Sequence, residues 1–211
     1  MVLNKIMISE YTPECKKDLI KLVKKSFRFS INHPYDRNDP KLRTMDTVVG
    51  SGIAYADFEV ERYTSNPKCV LLAFYKNKLI GYCMIDPDPS HHPGVKYFFR
   101  ILIGKYGKRR QVFHTANATR KTLGNGIPTV PKGHAEISIG IDDKLTGKGI
   151  GSLLIKEIEE LAKKKGIEKI GALVSRPNAR SRLFFEKHKY SLAPKSYPIL
   201  DWEVVVFTKK L

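Results

Sequence analysis

The stretch HAEISIGIDDKLTGKGIGSLLIKEIEELAKKKGIEKIGALVS, residues 134–175, constrains the fold more than any other part of the chain. His134 to Ile141 reads as a strand, Gly149 to Lys165 as an amphipathic helix, and Lys169 to Ser175 as a second strand. A strand, a helix and a strand at this spacing form a crossover unit whose two strands run parallel. Gly166 follows three lysines, which suits a helix C-terminus: glycine accepts the left-handed cap and cations meet the negative end of the dipole. Upstream, Lys68 to Tyr75 and Lys78 to Ile85 are β-rich runs separated by Lys76-Asn77, the signature of a hairpin and hence of antiparallel pairing. Parallel and antiparallel pairing in one chain imply a mixed sheet, α/β or α+β in class.

The remaining elements are read by the same rules. Lys5 to Tyr11 alternates as a first strand. Thr12 offers a cap and Pro13 a first helical position for a helix with Leu19, Ile20, Leu22, Val23 and Phe27 on its apolar face. Ser30 to about Thr47 reads as a long loop, Tyr55 to Tyr63 carries a weak helical pattern, and Asp86 to Gly94 is a loop. Val95 to Thr122 is basic with apolar interruptions, and Leu123 to Gly133 is loop. Asn178 to His188 reads as a helix, and Tyr197 to the end supplies one or two strands. With 211 residues, this is one domain over 1–211, with a helical insertion around 95–123.

Composition adds a question about partners. Thirty-eight Lys and Arg against 21 Asp and Glu give +17, which invites an anionic partner: nucleic acid, a membrane surface or a phosphorylated small molecule. The basic residues are spread along the chain, which favours a merely solvated basic surface slightly over a nucleic-acid footprint. No apolar run is long enough to span a bilayer, and the N-terminus has no secretion-signal pattern. Cys15, Cys69 and Cys83 lack ligand spacing and read as reduced thiols of a cytoplasmic protein, and the adjacent His91-His92 is not a ligand pair. No metal site is expected.

Three glycines at alternate positions, Gly147, Gly149 and Gly151, stand just before the helix, and three phosphate-binding devices place glycines there. The Walker pattern fails, because Asp142 occupies the first glycine position and Gly149 the hydroxyl position. The dinucleotide fingerprint is half met by Gly147, Gly149 and Ser152, but no carboxylate ends the next strand at Val174-Ser175. The third device fits best. IDDKLTGKGIGSLL resembles the acetyl-CoA loop of the GNAT superfamily of N-acetyltransferases, with Gly149 and Gly151 at its two small positions and Thr146 where Arg or Gln is usual. NARSRLFFEKHKY resembles the later motif of the same family: Asn178 matches its Asn, Ser181 its small residue, and Phe185-Glu186-Lys187 its aromatic-Glu-Lys.

The resemblance, specific over Glu136 to Tyr190, implies a three-layer α-β-α GNAT-like domain. It implies an acyltransferase that moves an acetyl group from acetyl-CoA, as cosubstrate, to a primary amine of an unidentified small molecule or peptide. Ile139, Gly140 and Ile141 would then pair through their backbone with the pantetheine arm. Thr146 would be a further cofactor contact, and amides of Gly147, Lys148, Gly149, Ile150, Gly151 and Ser152 would meet the pyrophosphate, with Lys148 adding charge. Asn178 would contact the cofactor arm or simply cap its helix. Arg176, Arg180 and Arg182 would meet a nucleotide phosphate or form a solvated face. Glu136 is the candidate general base, against a surface or ion-pair role, and His134 is a weaker one. The family often uses a tyrosine as general acid where this chain has Phe185, so no acid is assigned. Ser30 to Asn38 is a candidate acceptor lid. The protein is expected to act as a monomer or homodimer, without a membrane. The rival readings are a non-catalytic acyl-CoA-binding module and a basic nucleic-acid-binding protein.

Overall fold

A computed structural model describes residues 5–32, 56–57, 59–89, 129–176, 178–199 and 202–211. In chain order its elements are β1 (Ile6–Glu10), α1 (Lys16–Asn32), helical residues 56–57 and 59–64 (α2), β2 (Val70–Tyr75), β3 (Lys78–Asp86), β4 (Ala135–Ile141), α3 (Ile150–Lys164), β5 (Lys169–Ser175), α4 (Ala179–Lys187), β6 (Ser191–Ile199) and β7 (Trp202–Lys210). The proposed insertion around 95–123, the loop residues 33–47 and His91-His92 lie outside the described residues.

One seven-stranded sheet, ordered β1-β2-β3-β4-β5-β7-β6, organises everything else. The hairpin forms as its turn residues require: Lys76 and Asn77 adopt φ of 49° and 61°, the pair of left-handed residues that a two-residue turn between twisted strands needs. β4 and β5 are the parallel pair, bridged by α3, and every other neighbour is antiparallel. The sheet is therefore mixed, as the sequence implies.

Strand alternation supplies two apolar faces. Leu71, Ala73, Cys83, Ile85, Ala135 and Ile137 point to one side, where Ile150, Leu154, Ile155, Ile158 and Ala162 of α3 bury against them. Those helix positions recur at the 3.6-residue period, and burying each large aliphatic side chain contributes roughly 2 kcal/mol. Val70, Leu72, Tyr82 and Met84 point to the other side, against Leu19, Leu22 and Val23 of α1 and Val60 and Tyr63 of α2. The helices thus sandwich the sheet. The close approach of α3 depends on Gly81, where a Cβ would stand 2.8 Å from Ile141 Cδ1 and 3.0 Å from Leu154 Cδ1.

Three details differ from the sequence reading. Pro13–Cys15 forms a 3₁₀ turn leading into α1, so Pro13 starts that turn instead of the α-helix, and the Thr12 side chain makes no cap bond to it. α1 continues through Asn32, so Ser30, Ile31 and Asn32 of the candidate lid are helical. β6 begins at Ser191, before Tyr197. As an edge strand with a register jump between Leu192 and Ser196, it tolerates Pro194, which would leave a hole in a central ladder.

Candidate active site

β4 and β5 are each seven residues long, yet their ladder has only two pairs, Ala135↔Ile170 and Glu136↔Gly171. From Ile137 onward β4 is paired on its β3 side alone, down to Gly81↔Ile141. The loop side of β4 therefore presents an edge of backbone N–H and C=O groups with no strand partner among the described residues. Such groups favour a ligand that can complete their hydrogen bonds.

The chain leaves β4 through a tightly built turn. Asp142 Oδ1 accepts from the Lys144 N–H, and Thr146 Oγ1 donates to the Asp143 carbonyl at 2.8 Å. Lys25 of α1 reaches across to Asp142 at 2.8 Å and Asp143 at 2.5 Å. That ammonium holds the Asp143 carboxyl below its ordinary range, while the two carboxylates push Lys25 up. Gly147 (φ 76°) and Gly149 (φ 82°) then take left-handed conformations that cost a residue with a side chain strain. Gly149 is the N-cap of α3, and the first helical bond runs from Leu153 N–H to its carbonyl. The N–H groups of Ile150, Gly151 and Ser152 thus have no helical acceptor and carry the positive end of the dipole.

These parts meet in a cleft of about 370 Å³. Ten of the eleven residues named from sequence as cofactor contacts line it: Ile139, Gly140, Ile141, Thr146, Gly147, Gly149, Ile150, Gly151, Ser152 and Asn178. Lys148 is exposed and does not line it. Asn178 serves the capping role, since its Oδ1 accepts from Ser181 N–H at 3.0 Å, and it also faces the cleft. Arg180 lines the cleft, whereas Arg176 forms an ion pair with Glu203 on β7 and Arg182 is not in the lining. The geometry suits an elongated anionic ligand: a diphosphate at the helix N-terminus and an amide-bearing arm along β4.

Several lining residues were not identified from the sequence. Ser26 enters from α1, Leu145 from the turn, and Leu183, Phe184 and Lys187 from α4. Phe184 packs against the helix at Gly151, where a Cβ would stand 3.0 Å from its Cε2. The neighbouring Phe185 instead lies in the core, stacked on Phe207 and edge-on to Tyr190. The motif match already singles out Ser181, but nothing local says that Phe184 and not Phe185 faces the cleft. His188 hydrogen-bonds the lining Ser152 (Nε2 to Oγ, 3.0 Å), and burial pushes its pKa down.

Glu136 is 6 % exposed and lies outside the cleft lining. Its Oε1 accepts from Arg62 Nη1 and from the Tyr63 hydroxyl, both at 3.2 Å. The ion-pair role considered for it is therefore present, whatever its part in chemistry. His134 is confined to the strand's entry, with Nδ1 3.5 Å from the Lys132 carbonyl.

Comparison with known proteins agrees with this geometry. Residues 36–190 match the model of the acetyltransferase (GNAT) family. A 57-residue segment is 40% identical to "Putative phosphinothricin acetyltransferase YwnH" of Bacillus subtilis (strain 168), a match covering 27% of this chain and 35% of that protein. The fold is similar to that of PaiA N-acetyltransferase from Thermoplasma acidophilum in complex with coenzyme A (TM-score 0.60, 18% identity, 98% and 99% of the two chains). It is also similar to that of a GNAT-family acetyltransferase from Streptococcus pneumoniae (TM-score 0.57, 17% identity, 98% and 99%). With a family match over most of its length and a glycine loop, helix N-terminus and open strand edge in one cleft, the chain belongs to the GNAT family of acetyltransferases.

Proposed function

We propose that the protein is an acetyl-CoA-dependent N-acetyltransferase that acts on a primary amine. The observation that carries this reading is the coincidence, in one cleft, of the unpaired β4 edge with the N–H groups of Ile150, Gly151 and Ser152. A diphosphate would accept from those amides, where the helix dipole favours negative charge. A pantetheine arm would hydrogen-bond to the backbone of Ile139 to Ile141 as an added strand does. Members of the family use acetyl-CoA as cosubstrate, and the coenzyme A complex of PaiA N-acetyltransferase is consistent with the same use here.

In that reading the amine nitrogen attacks the thioester carbonyl, and amides on the open edge of β4 would serve as donors for the oxyanion. Phe185 has no proton to give and is buried, so the thiolate leaves without a side-chain acid at that position. A thiol of pKa about 8.5 leaves readily enough for this to suffice. Glu136, held by Arg62 and Tyr63 outside the cleft lining, would act as the base only through water. The acceptor's identity is not read from the site.

Thermal shift with acetyl-CoA, coenzyme A and NAD tests the cofactor assignment. Both CoA compounds should raise Tm by mass action and NAD should not. No shift with near-millimolar coenzyme A would overturn the assignment. Thiol release over a panel of primary amines then tests catalysis; CoA binding without turnover on any amine would favour a binding module.

A further inference from the structure

Ser152 and His188 meet where α3 and the end of α4 close the cleft. Ser152 is the third residue of α3 and lines the cleft, and its Oγ stands 3.0 Å from His188 Nε2. A serine hydroxyl inside a helix commonly bonds its own local backbone. Here it is held instead by a side chain 36 positions further along the chain.

The histidine is fixed from several sides. It is the C-cap of α4, with its backbone N–H shared between the Phe184 and Phe185 carbonyls at 3.2 and 3.1 Å. Lys189 then takes a left-handed φ of 64°, and the Tyr190 N–H returns to the Phe185 carbonyl at 3.0 Å, which closes the helix end. The imidazole packs on the cleft-lining Phe184, with ring centroids 4.7 Å apart. Glu159 of α3, whose charge reaches the ring, has its oxygens engaged elsewhere. They accept from the Tyr190 hydroxyl at 3.0 Å and from Lys209 of β7 at 2.6 Å. Among the described residues, the ring's hydrogen bond is the one to Ser152.

The direction of that bond decides what the hydroxyl offers the cleft. A serine hydroxyl has one proton, and a neutral imidazole has one donor and one acceptor nitrogen. If Nε2 accepts, the Ser152 proton is spent on the ring and only oxygen lone pairs are left for the cleft. If Nε2–H donates, the hydroxyl keeps its proton for the cleft and is held in place to deliver it. An imidazolium donates in the same way. An anion at the N-terminus of α3 favours the donating arrangement, because a charge-assisted O–H···O bond replaces a lone pair facing negative charge.

We propose that His188 is a positioning residue for the cofactor's diphosphate: its Nε2–H donates to Ser152 Oγ and so aims the Ser152 hydroxyl proton at the phosphate oxygens. The inference rests on the acetyl-CoA reading, and it adds a side-chain donor to the amides of Ile150, Gly151 and Ser152. His188 is not in the cleft lining and acts only through the serine.

Calorimetric titration with coenzyme A compares wild type with S152A, H188A and S152A/H188A. S152A should raise Kd about tenfold, the worth of one hydrogen bond to a charged acceptor. H188A should raise it about threefold, because the hydroxyl remains but is no longer held. The double variant should bind as S152A does, since the histidine works through that hydroxyl alone. Histidine-specific 15N NMR of the wild-type complex with coenzyme A locates the proton directly. Nε2 of His188, assigned by its absence from H188A or H188Q, should be protonated in the complex. An unprotonated Nε2 there would overturn the proposal. So would H188A at wild-type affinity, or an H188A effect as large in the S152A background as in wild type. Those three results leave the acetyl-CoA reading intact. Failure of wild type to bind coenzyme A at near-millimolar concentration overturns that reading and this proposal with it.

Discussion

Glu59→Gln provides a thermodynamic test of a carboxyl buried on α2, where Glu59 is 6 % exposed. The folded protein holds this carboxyl at about 7 against an ordinary 4.5, chiefly because burial disfavours the charge. Between those two values the native state binds the proton and the unfolded chain does not. Stability from this group is therefore fully present below 4.5 and is lost as pH rises through about 7, at about 1.4 kcal/mol per pH unit. The accumulated loss at pH 8 is roughly 3 kcal/mol, an order-of-magnitude figure from the same conversion. Glutamine has the same shape and no titration, so the variant should be spared that loss. Urea unfolding of both proteins at pH 5, 6, 7 and 8 measures the effect. The variant's relative stability should climb by roughly 3 kcal/mol across the series, with unchanged m-values. Other carboxylates cancel in the difference, since both proteins contain them. A difference that stays flat from pH 5 to 8 within about 0.5 kcal/mol would refute the argument that Glu59 is buried as an acid.

Three further perturbations probe the cleft. Gly149→Glu places a carboxylate where φ is 82° on the cleft wall and should abolish the CoA-induced Tm shift; Gly133→Ala, at φ 79° with nothing within 4 Å, should cost similar strain of about 1 kcal/mol while leaving that shift intact. Gly140→Ala drives a Cβ to 2.5 Å from the Tyr82 ring and should lower stability by about 1–3 kcal/mol in urea unfolding, with weakened acetyl-CoA binding by calorimetry. Lys25→Met unties α1 from the glycine turn. Because Asp143 is held below its ordinary range in the fold, its share of stability is present above the unfolded pKa and lost on acidification, so the variant should show a shallower acid loss and weaker coenzyme A binding.

The C-terminal half was largely legible because its signals are local. β5 occupies Lys169–Ser175 as its apolar run indicates. Gly166 adopts φ 73°, and the Ile167 N–H returns to the Ala162 carbonyl, as a glycine-terminated helix requires. The glycine loop, the strand before it and the later Asn motif name eleven cofactor contacts, and ten of them line one cleft. What remained hidden depends on tertiary placement. Glu59 and Arg62 sit in a weak helical pattern, and nothing local says that they meet Glu136, more than seventy residues on. Ser26 reads as one polar residue near the end of a helix until α1 is laid beside Gly140. β6 was masked by two prolines, which an edge strand accepts and a central one does not.

β4 separates an edge open to a ligand from a polar row beneath α1 and α2. In AEISIGI the odd positions, Ala135, Ile137, Ile139 and Ile141, are apolar and pack toward α3, while Glu136, Ser138 and Gly140 face α1 and α2. Backbone hydrogen bonds lie in the plane of the sheet, and side chains stand perpendicular to it. A ligand arm added along the unpaired edge would therefore occupy the plane without competing for the polar face. At Gly140 an added Cβ would meet both Tyr82 and Ser26 beside the cleft. Any side chain there would bring edge and face into conflict. Gly140→Ala should accordingly lose cofactor affinity, whereas Ser138→Ala should keep it. If Ser138→Ala weakened acetyl-CoA binding as much as Gly140→Ala does, the separation of edge from face would be wrong.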